Sequence, residues 1–355
     1  MKKGPKILAK KVASQAPRHI VLAGCGVASA GWFKAVQSRK DALVVGLVDV
    51  NLDAARQRAT EFALPNAVIG QDIGEVITRS HADVVFDCTI PSAHVHIVLA
   101  ALRHGCHVLG EKPLATTLRD ARRMVAAAES ARRTYAVIQN YRYNEPIRRL
   151  KAFLDSGAIG QVHTICVDYF IGAHFGGFRE AMDHVLLLDM SIHTFDAARF
   201  LCGADPLAVY CHDWNPPGSW FRDGASATAI FEMSEGVVFN YRGSWCAEGL
   251  NTGRNGVWRI IGSKGSITWD GADGFRAEAV KRTGGFFSEM RPLSVPARKF
   301  PRHRDAHQSL IAEFLDGLRT GTTPETAAHD NIKSLAMVLA AVESTTKKRR
   351  TPISI

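Results

Sequence analysis

The sequence predicts two units: an α/β unit built on a doubly wound parallel sheet, then an α+β unit with an antiparallel sheet. Three observations predict this. From residue 19, short apolar runs alternate with stretches of helical spacing; after about residue 140, strand-like runs follow one another with only glycine turns between; and a glycine pair falls where the first strand hands over to the first helix.

The elements follow in order. HIVLAG, LVVGLVD, DVVFDC, HVLG and YAVIQN are each of strand length and apolar throughout, the mark of parallel strands buried on both faces. DAARQRATEFA and LRDARRMVAAAESARR between them carry helical spacing. EPIRRLKAFLDSG reads as a helix stopped at Gly157, QVHTICVDYF as a strand, and LLLDMSIHTFDAARFLCG as a further helix. ATAIFEM, VVFNYRGSW, VWRIIG and SITWDG then read as successive strands, and 304–319 and 325–346 as closing helices, the second of which is expected to pack back on the first unit. The expected division is a basic tail over 1–18, the doubly wound α/β unit over 19–140 and the α+β unit over 141–355. No repeat or low-complexity segment interrupts it.

Composition excludes several classes. At 355 residues, with 46% hydrophobic and 22% charged content, the chain suits a folded globular protein. No apolar run reaches membrane-spanning length and no signal-peptide pattern opens the chain, so the expectation is a cytoplasmic protein without membrane contact. The seven cysteines form no CxxC pair and several sit in apolar runs, as reduced thiols do. The net charge of +10 lies at the ends: Lys2, Lys3, Lys6, Lys10, Lys11 and Arg18 at one, Lys347, Lys348, Arg349 and Arg350 at the other. The body is balanced, and no nucleic-acid partner is expected.

GCGVAS, Gly24 to Ser29, is the nucleotide signal. Gly24 permits a tight turn, Gly26 removes the Cβ that would block a pyrophosphate, and the amides of Val27 and Ala28 at the helix start receive phosphate. Ser29 stands where a third glycine is usual. About twenty residues later LVVGLVD ends in Asp49, a carboxylate placed to accept from ribose hydroxyls and repel a 2′-phosphate; Val50 and Asn51 follow instead of an arginine. The expected cofactor is therefore NAD, with NADP less favoured.

Two further stretches carry chemistry. In LGEKPLA, Pro113 holds Lys112 extended and makes a cis bond affordable, so the lysine points in a definite direction. In DMSIH, Asp189 and His193 stand four apart on an expected helix beside an apolar stripe, so both side chains share one face.

Taken in order, GCGVAS, Asp49, TIPSAH, GEKPLA, NYRYNEPIRRLKAFLDSGAIG and LLLDMSIHTFDAARFL resemble the Gfo/Idh/MocA oxidoreductases, which include inositol and sugar dehydrogenases; the resemblance runs from about residue 19 to 355. It implies a Rossmann domain followed by a domain on a large, mostly antiparallel open sheet, whose face often serves oligomerisation; a homo-oligomer, dimer or tetramer, is therefore expected. It implies Lys112, Asp189 and His193 as the catalytic trio, joined by Arg142 at the substrate. It places Thr89, Ile90, Pro91, His94, Glu111, Lys112 and Asn140 on the cofactor side, with the Gly24–Ala28 loop, Asp49 and Val50. One departure stands before Asp189, where EAMDHVLL replaces a glycine-rich stretch and Asp183 and His184 are expected to reshape the pocket.

The chemistry follows from the residue types. Hydride leaves a carbinol carbon only as the hydroxyl proton is withdrawn; a histidine, with an ordinary pKa of about 6.5, suits that task. An ammonium at the same oxygen stabilises the alkoxide, and Asp189 orients substrate hydroxyls and the lysine. The expected substrate is a small sugar or polyol. Trp214, Trp220 and Trp245 offer faces for a pyranose, although ordinary sheet packing is the favoured expectation for them. HGCH, His104 to His107, reads as a turn, and no metal is expected. Two other readings stay open: an NAD-dependent glycosidase of the same family, and a non-catalytic NAD sensor.

Overall fold

The structure, a computed structural model, describes residues 16–297 and 305–355. Most of the basic tail, residues 1–15, and residue 304 at the expected start of a closing helix lie outside the described residues.

The first sheet has six strands: β1 (Arg18–Ala23), β2 (Ala42–Val48), β3 (Val68–Gly70), β4 (Val84–Asp87), β5 (His107–Gly110) and β6 (Tyr135–Val137). Helices α1 (Ser29–Gln37), α2 (Leu52–Glu61), α3 (Ile73–Ser80), α4 (His94–Arg103) and α5 (Leu118–Ala131) connect them. The order is β3-β2-β1-β4-β5-β6, every pair parallel. Chain order reverses between β1 and β4, so the loops after these strands diverge and leave a crevice at their carboxyl ends. Apolar side chains fill both faces, Ile20, Leu22 and Phe86 on one and Val21, Val85 and Val108 on the other.

The second unit opens with α6 (Glu145–Asp155), β7 (Val162–Phe170) and α7 (Ile192–Cys202). Its sheet is completed by β8 (Pro206–Trp214), β9 (Ser226–Met233), β10 (Val238–Ser244), β11 (Val257–Gly262), β12 (Gly265–Trp269), β13 (Phe275–Arg282), β14 (Glu289–Leu293) and β15 (Thr351–Pro352). The order is β14-β13-β12-β11-β7-β10-β9-β8-β15, antiparallel except for the parallel pair β7 and β10. It is the large, mostly antiparallel open sheet that the resemblance implies. Strands β8, β13, β14 and β15 extend it beyond the expected ones; β13 and β14 lie towards the edge and carry charges such as Lys281 and Glu289, which hide the apolar alternation.

One face of this sheet is covered by α6 and α7 through Ile147, Leu150, Phe195, Phe231 and Tyr241. The other is open, with Tyr210, Trp214, Ile230 and Val257 exposed. The last two helices are α8 (Ala306–Thr320) and α9 (Ala328–Lys347). Leu310, Ile311, Phe314 and Leu315 of α8 enter the core of the first sheet beside Trp32 and Phe86. Helix α9 gives Ile332 and Leu335 to the first unit and Met337, Val338 and Ala341 to the second. None of the described helices is long and apolar enough to cross a membrane.

Phe314 is fully buried at 6.3 Å from Phe86. Phe314→Ala is expected to cost about 3–5 kcal/mol, as large aromatic truncations in cores do. Denaturant unfolding followed by far-ultraviolet circular dichroism checks this; a loss under about 1 kcal/mol would mean that α8 is only loosely docked.

Candidate active site

The crevice forms where β1 ends. Gly24 has φ +86°, and a Cβ there would lie 2.6 Å from the Cys88 carbonyl carbon and oxygen, so only glycine lets β1 turn this close to β4. At Gly26 an added Cβ would meet nothing within 4 Å, which is open space over the loop. Helix α1 begins at Ser29, whose hydroxyl bonds back to the Gly26 carbonyl at 2.7 Å, and the amides of Val27 and Ala28 have no acceptor among the described residues. Ser29 is wholly buried, so the small hydroxyl does the work of the missing third glycine without disturbing the loop.

Asp49 closes this half. Its carboxylate accepts from the Cys25 amide at 2.7 Å and the Asn51 amide at 2.8 Å, fixing its position at the end of β2. Arg58 is the nearest candidate for a 2′-phosphate partner, but its guanidinium donates to the carbonyls of Cys25 and Gly26 and pairs with Glu61. Val27, Val50 and Ile90 are strongly exposed around the crevice, 91%, 89% and 69%. Exposed apolar residues ringing amides without acceptors fit a dinucleotide, and the residues that would hold NAD are Gly24 to Ala28, Asp49 and Val50.

The loops after β4 and β5 form the other wall. Thr89 is fixed by Asp87, which accepts from its amide and hydroxyl, and Pro91 is exposed at the start of the next turn. His94 lies beneath the wall instead of facing the crevice: it is buried, and its ring bridges the carbonyls of Pro113 at 2.9 Å and Thr89 at 3.1 Å. It braces two loops. The Lys112–Pro113 bond is cis. Glu111 accepts from the Trp32 indole at 3.1 Å, and burial raises its carboxyl above the ordinary value.

Lys112 crosses to the second unit. Its Nζ lies 2.7 Å from Asp189 Oδ1 and 2.8 Å from the Asp189 carbonyl, while Arg179 donates to Oδ2 at 2.6 Å. Burial opposes ionisation of Asp189, yet the two cations outweigh it and hold the carboxyl below its ordinary range. Asp189 does not sit on an α-helix as its spacing from His193 predicts. Leu186–Ser191 form a π-helical turn, and α7 starts only at Ile192, a widened turn of the kind often found at functional sites.

His193 nonetheless lines the same cavity of about 450 Å³ as Lys112 and Asp189, with Glu111 and Asn140. The ring stacks on Tyr141 at 4.2 Å. Burial, reinforced by the positive charge of Lys112, depresses its pKa well below 6.5, so the imidazole is neutral. Gln139, itself fully buried, places its side-chain amide 3.1 Å from Nδ1. Nε2 has no protein partner among the described residues.

Two further expectations need correction. Arg142 is no substrate ligand: it is buried, fork to fork with Asp196, and donates to the Glu325 carbonyl at 3.1 Å. That pair, extended by Ser334 and Arg199, clamps the loop after β6 to α7 and α9. Asp183 and His184 do not line the pocket either, since Asp183 pairs with Arg222 and His184 with Asp213. Of the three tryptophans only Trp245 reaches the cavity; Trp220 stacks on His174, and Trp214 lies on the open sheet face against His212. HGCH is a turn, with Gly105 at φ +77°. Among the described residues no metal-ligand cluster occurs and the seven cysteines are free. Sequence reasoning missed Gln139, Arg179 and Arg254, which carry no motif spacing.

The fold and this crevice define an NAD-binding oxidoreductase. Residues 18–139 match the model of the oxidoreductase family with an NAD-binding Rossmann fold, and 147–268 match the GFO/IDH/MocA C-terminal domain. The chain belongs to the Gfo/Idh/MocA oxidoreductases, and its cofactor is NAD. It is 26% identical to D-apiose dehydrogenase of Rhizobium rhizogenes over 339 residues, 94% of this chain and 96% of that one. It is also 26% identical to myo-inositol 2-dehydrogenase of Thermotoga maritima over 322 residues, 87% of this chain and 90% of that one. An oxidoreductase from Agrobacterium radiobacter, solved with NAD+, L-tartaric acid and magnesium, shares the fold, with TM-score 0.82, 24% identity and coverage of 95% and 99%.

Proposed function

We propose that the chain oxidises a secondary alcohol of a sugar, inositol or related polyol, with His193 accepting the hydroxyl proton and Lys112 stabilising the oxygen as it gains negative charge. The observation that carries this reading is the convergence of Lys112, Asp189 and His193 on one cavity beside the dinucleotide crevice. NAD, when bound, accepts the hydride. The protein supplies the rest. Asp189, held ionised between Lys112 and Arg179, fixes the ammonium through its carboxylate and its carbonyl, which leaves one ammonium hydrogen for a substrate oxygen. As the substrate O–H bond breaks, its proton passes to His193 Nε2 and the oxygen's electron pair forms the carbonyl.

A neutral imidazole accepts at Nε2 only when its hydrogen sits on Nδ1. Gln139 Nε2 lies 3.1 Å from Nδ1 while its Oε1 has no partner among the described residues, so turning the amide over satisfies that oxygen against an Nδ1 hydrogen. With that oxygen turned to Nδ1, Gln139 holds the required tautomer and also satisfies the imidazolium after proton transfer. The names of the apiose and inositol dehydrogenase relatives favour a polyol substrate. The open face of the second sheet, with Tyr210, Trp214 and Ile230 exposed, suits self-association into a dimer or tetramer, and a cytoplasmic setting suits the free thiols.

Lys112→Ala is expected to lower kcat by about 100- to 1,000-fold, as loss of one oxyanion donor does, while NAD affinity stays within a few-fold. Stopped assays of NADH formation with a sugar and inositol panel, together with NAD titration by fluorescence, check this; unchanged turnover would overturn the role. Sugar release from a glycoside without net NADH would point to the glycosidase reading instead.

The depressed pKa of His193 sets a pH dependence. The neutral ring is the competent form, and lowering its pKa extends that form downward in pH. The acid limb of kcat/KM for oxidation is therefore expected below pH 6.5. A limb at or above 6.5 that vanishes in His193→Asn would contradict the burial of this base.

A further inference from the structure

We propose that the substrate is a sugar acid, an aldonate or uronate whose carboxylate is held by Arg254 with Arg179; this rests on the dehydrogenase reading above. The cavity brings together three cations, Lys112, Arg179 and Arg254, but only two acids, Asp189 and Glu111. Glu111 faces the Trp32 indole, and each Asp189 oxygen is already engaged, one by Lys112 and the other by Arg179. Arg254 makes no ion pair among the described residues, and residues 1–15 and 298–304 contain no Asp or Glu, so the chain has no acid there to offer it.

Hydrogen-bonding capacity points the same way. The Tyr141 hydroxyl stands beside Arg254, and the Tyr169 hydroxyl accepts from the Trp245 indole at 3.2 Å, which leaves its own hydrogen to donate. A neutral polyol brings as many donors as acceptors and needs carboxylates or amide oxygens around it. Apart from the Asn140 amide and His193 Nε2, the polar side-chain groups left free around Arg254 are donors. A carboxylate brings acceptors only, and an arginine fork is the geometry that holds it in two parallel bonds. Its charge also offsets the surplus cation, which otherwise stays uncompensated beside the neutral His193.

The carboxylate does not change during alcohol oxidation, so its contacts act alike on bound substrate and transition state. Losing them raises KM more than it lowers kcat. Arg254 lies on an exposed loop before β11, so its replacement leaves the core intact.

The test is a panel of four- to six-carbon aldonates and uronates against the matching neutral aldoses, alditols and inositols. NADH formation is measured, and calorimetric binding to the NADH-loaded protein is measured in parallel. Expected are a kcat/KM at least tenfold higher for a sugar acid than for its neutral counterpart, and in Arg254→Ala a KM for that acid raised by about 10- to 100-fold. Arg254→Lys should recover part of the loss, and rising salt should weaken acid binding. Preference for neutral sugars, or an unchanged KM for the acid in Arg254→Ala, would overturn the proposal while leaving the dehydrogenase reading intact. A sugar acid that binds through Arg254 yet yields no NADH would uphold the charge argument and overturn that reading instead.

Discussion

The ion pair between Lys112 and Asp189 is the interaction on which the site depends. It joins residues 77 apart in sequence, one on the loop after β5 of the first sheet and the other on the turn that opens α7. Neither side chain has a reason to be there for stability alone, since partly buried charges lose much of their attraction to desolvation. What the pair does is locate a cation. Arg179 on the second oxygen then keeps Asp189 ionised against burial, and Lys112 in turn discourages a proton on His193. Lys112 and Arg179 thus set the charge of Asp189 and Lys112 that of His193, and the result is a neutral imidazole beside a fixed cation.

A second buried pair gives the first its frame. Arg142 and Asp196 lie behind the cavity, and with Ser334 of α9 they tie the loop after β6 to α7. Tyr141 and Gln139, one residue before the arginine and three before it, are held against His193 by that clamp. Helix α9 contributes to the cores of both units, so the crevice and the cavity are fixed relative to each other by packing as well as by charge.

Much of this was legible in the residues. The parallel sheet announced itself because strands buried on both faces are apolar without interruption, and Gly24, Gly26 and Asp49 stand in the spacing that a strand–turn–helix imposes. Lys112 was readable from the proline beside it. Arg142 was misread because Asp196, its partner, looks in sequence like one more polar residue on a helix; only tertiary packing makes it the buried anchor of a clamp. The π-helical turn at Asp189 was hidden for a related reason, since the apolar stripe of LLLDMSIHTF has the same spacing whether or not one turn is widened. Arg179 and Arg254 come from loops, where no periodicity marks a side chain as facing a cavity.

A crystal structure of the protein with NADH and a bound substrate tests the central claim most directly. The account predicts that one hydroxyl oxygen of the substrate lies within about 3.2 Å of both Lys112 Nζ and His193 Nε2, with Asp189 still holding the lysine. A substrate bound with its hydroxyls turned from these two nitrogens, or Lys112 drawn into a different cavity, would contradict it.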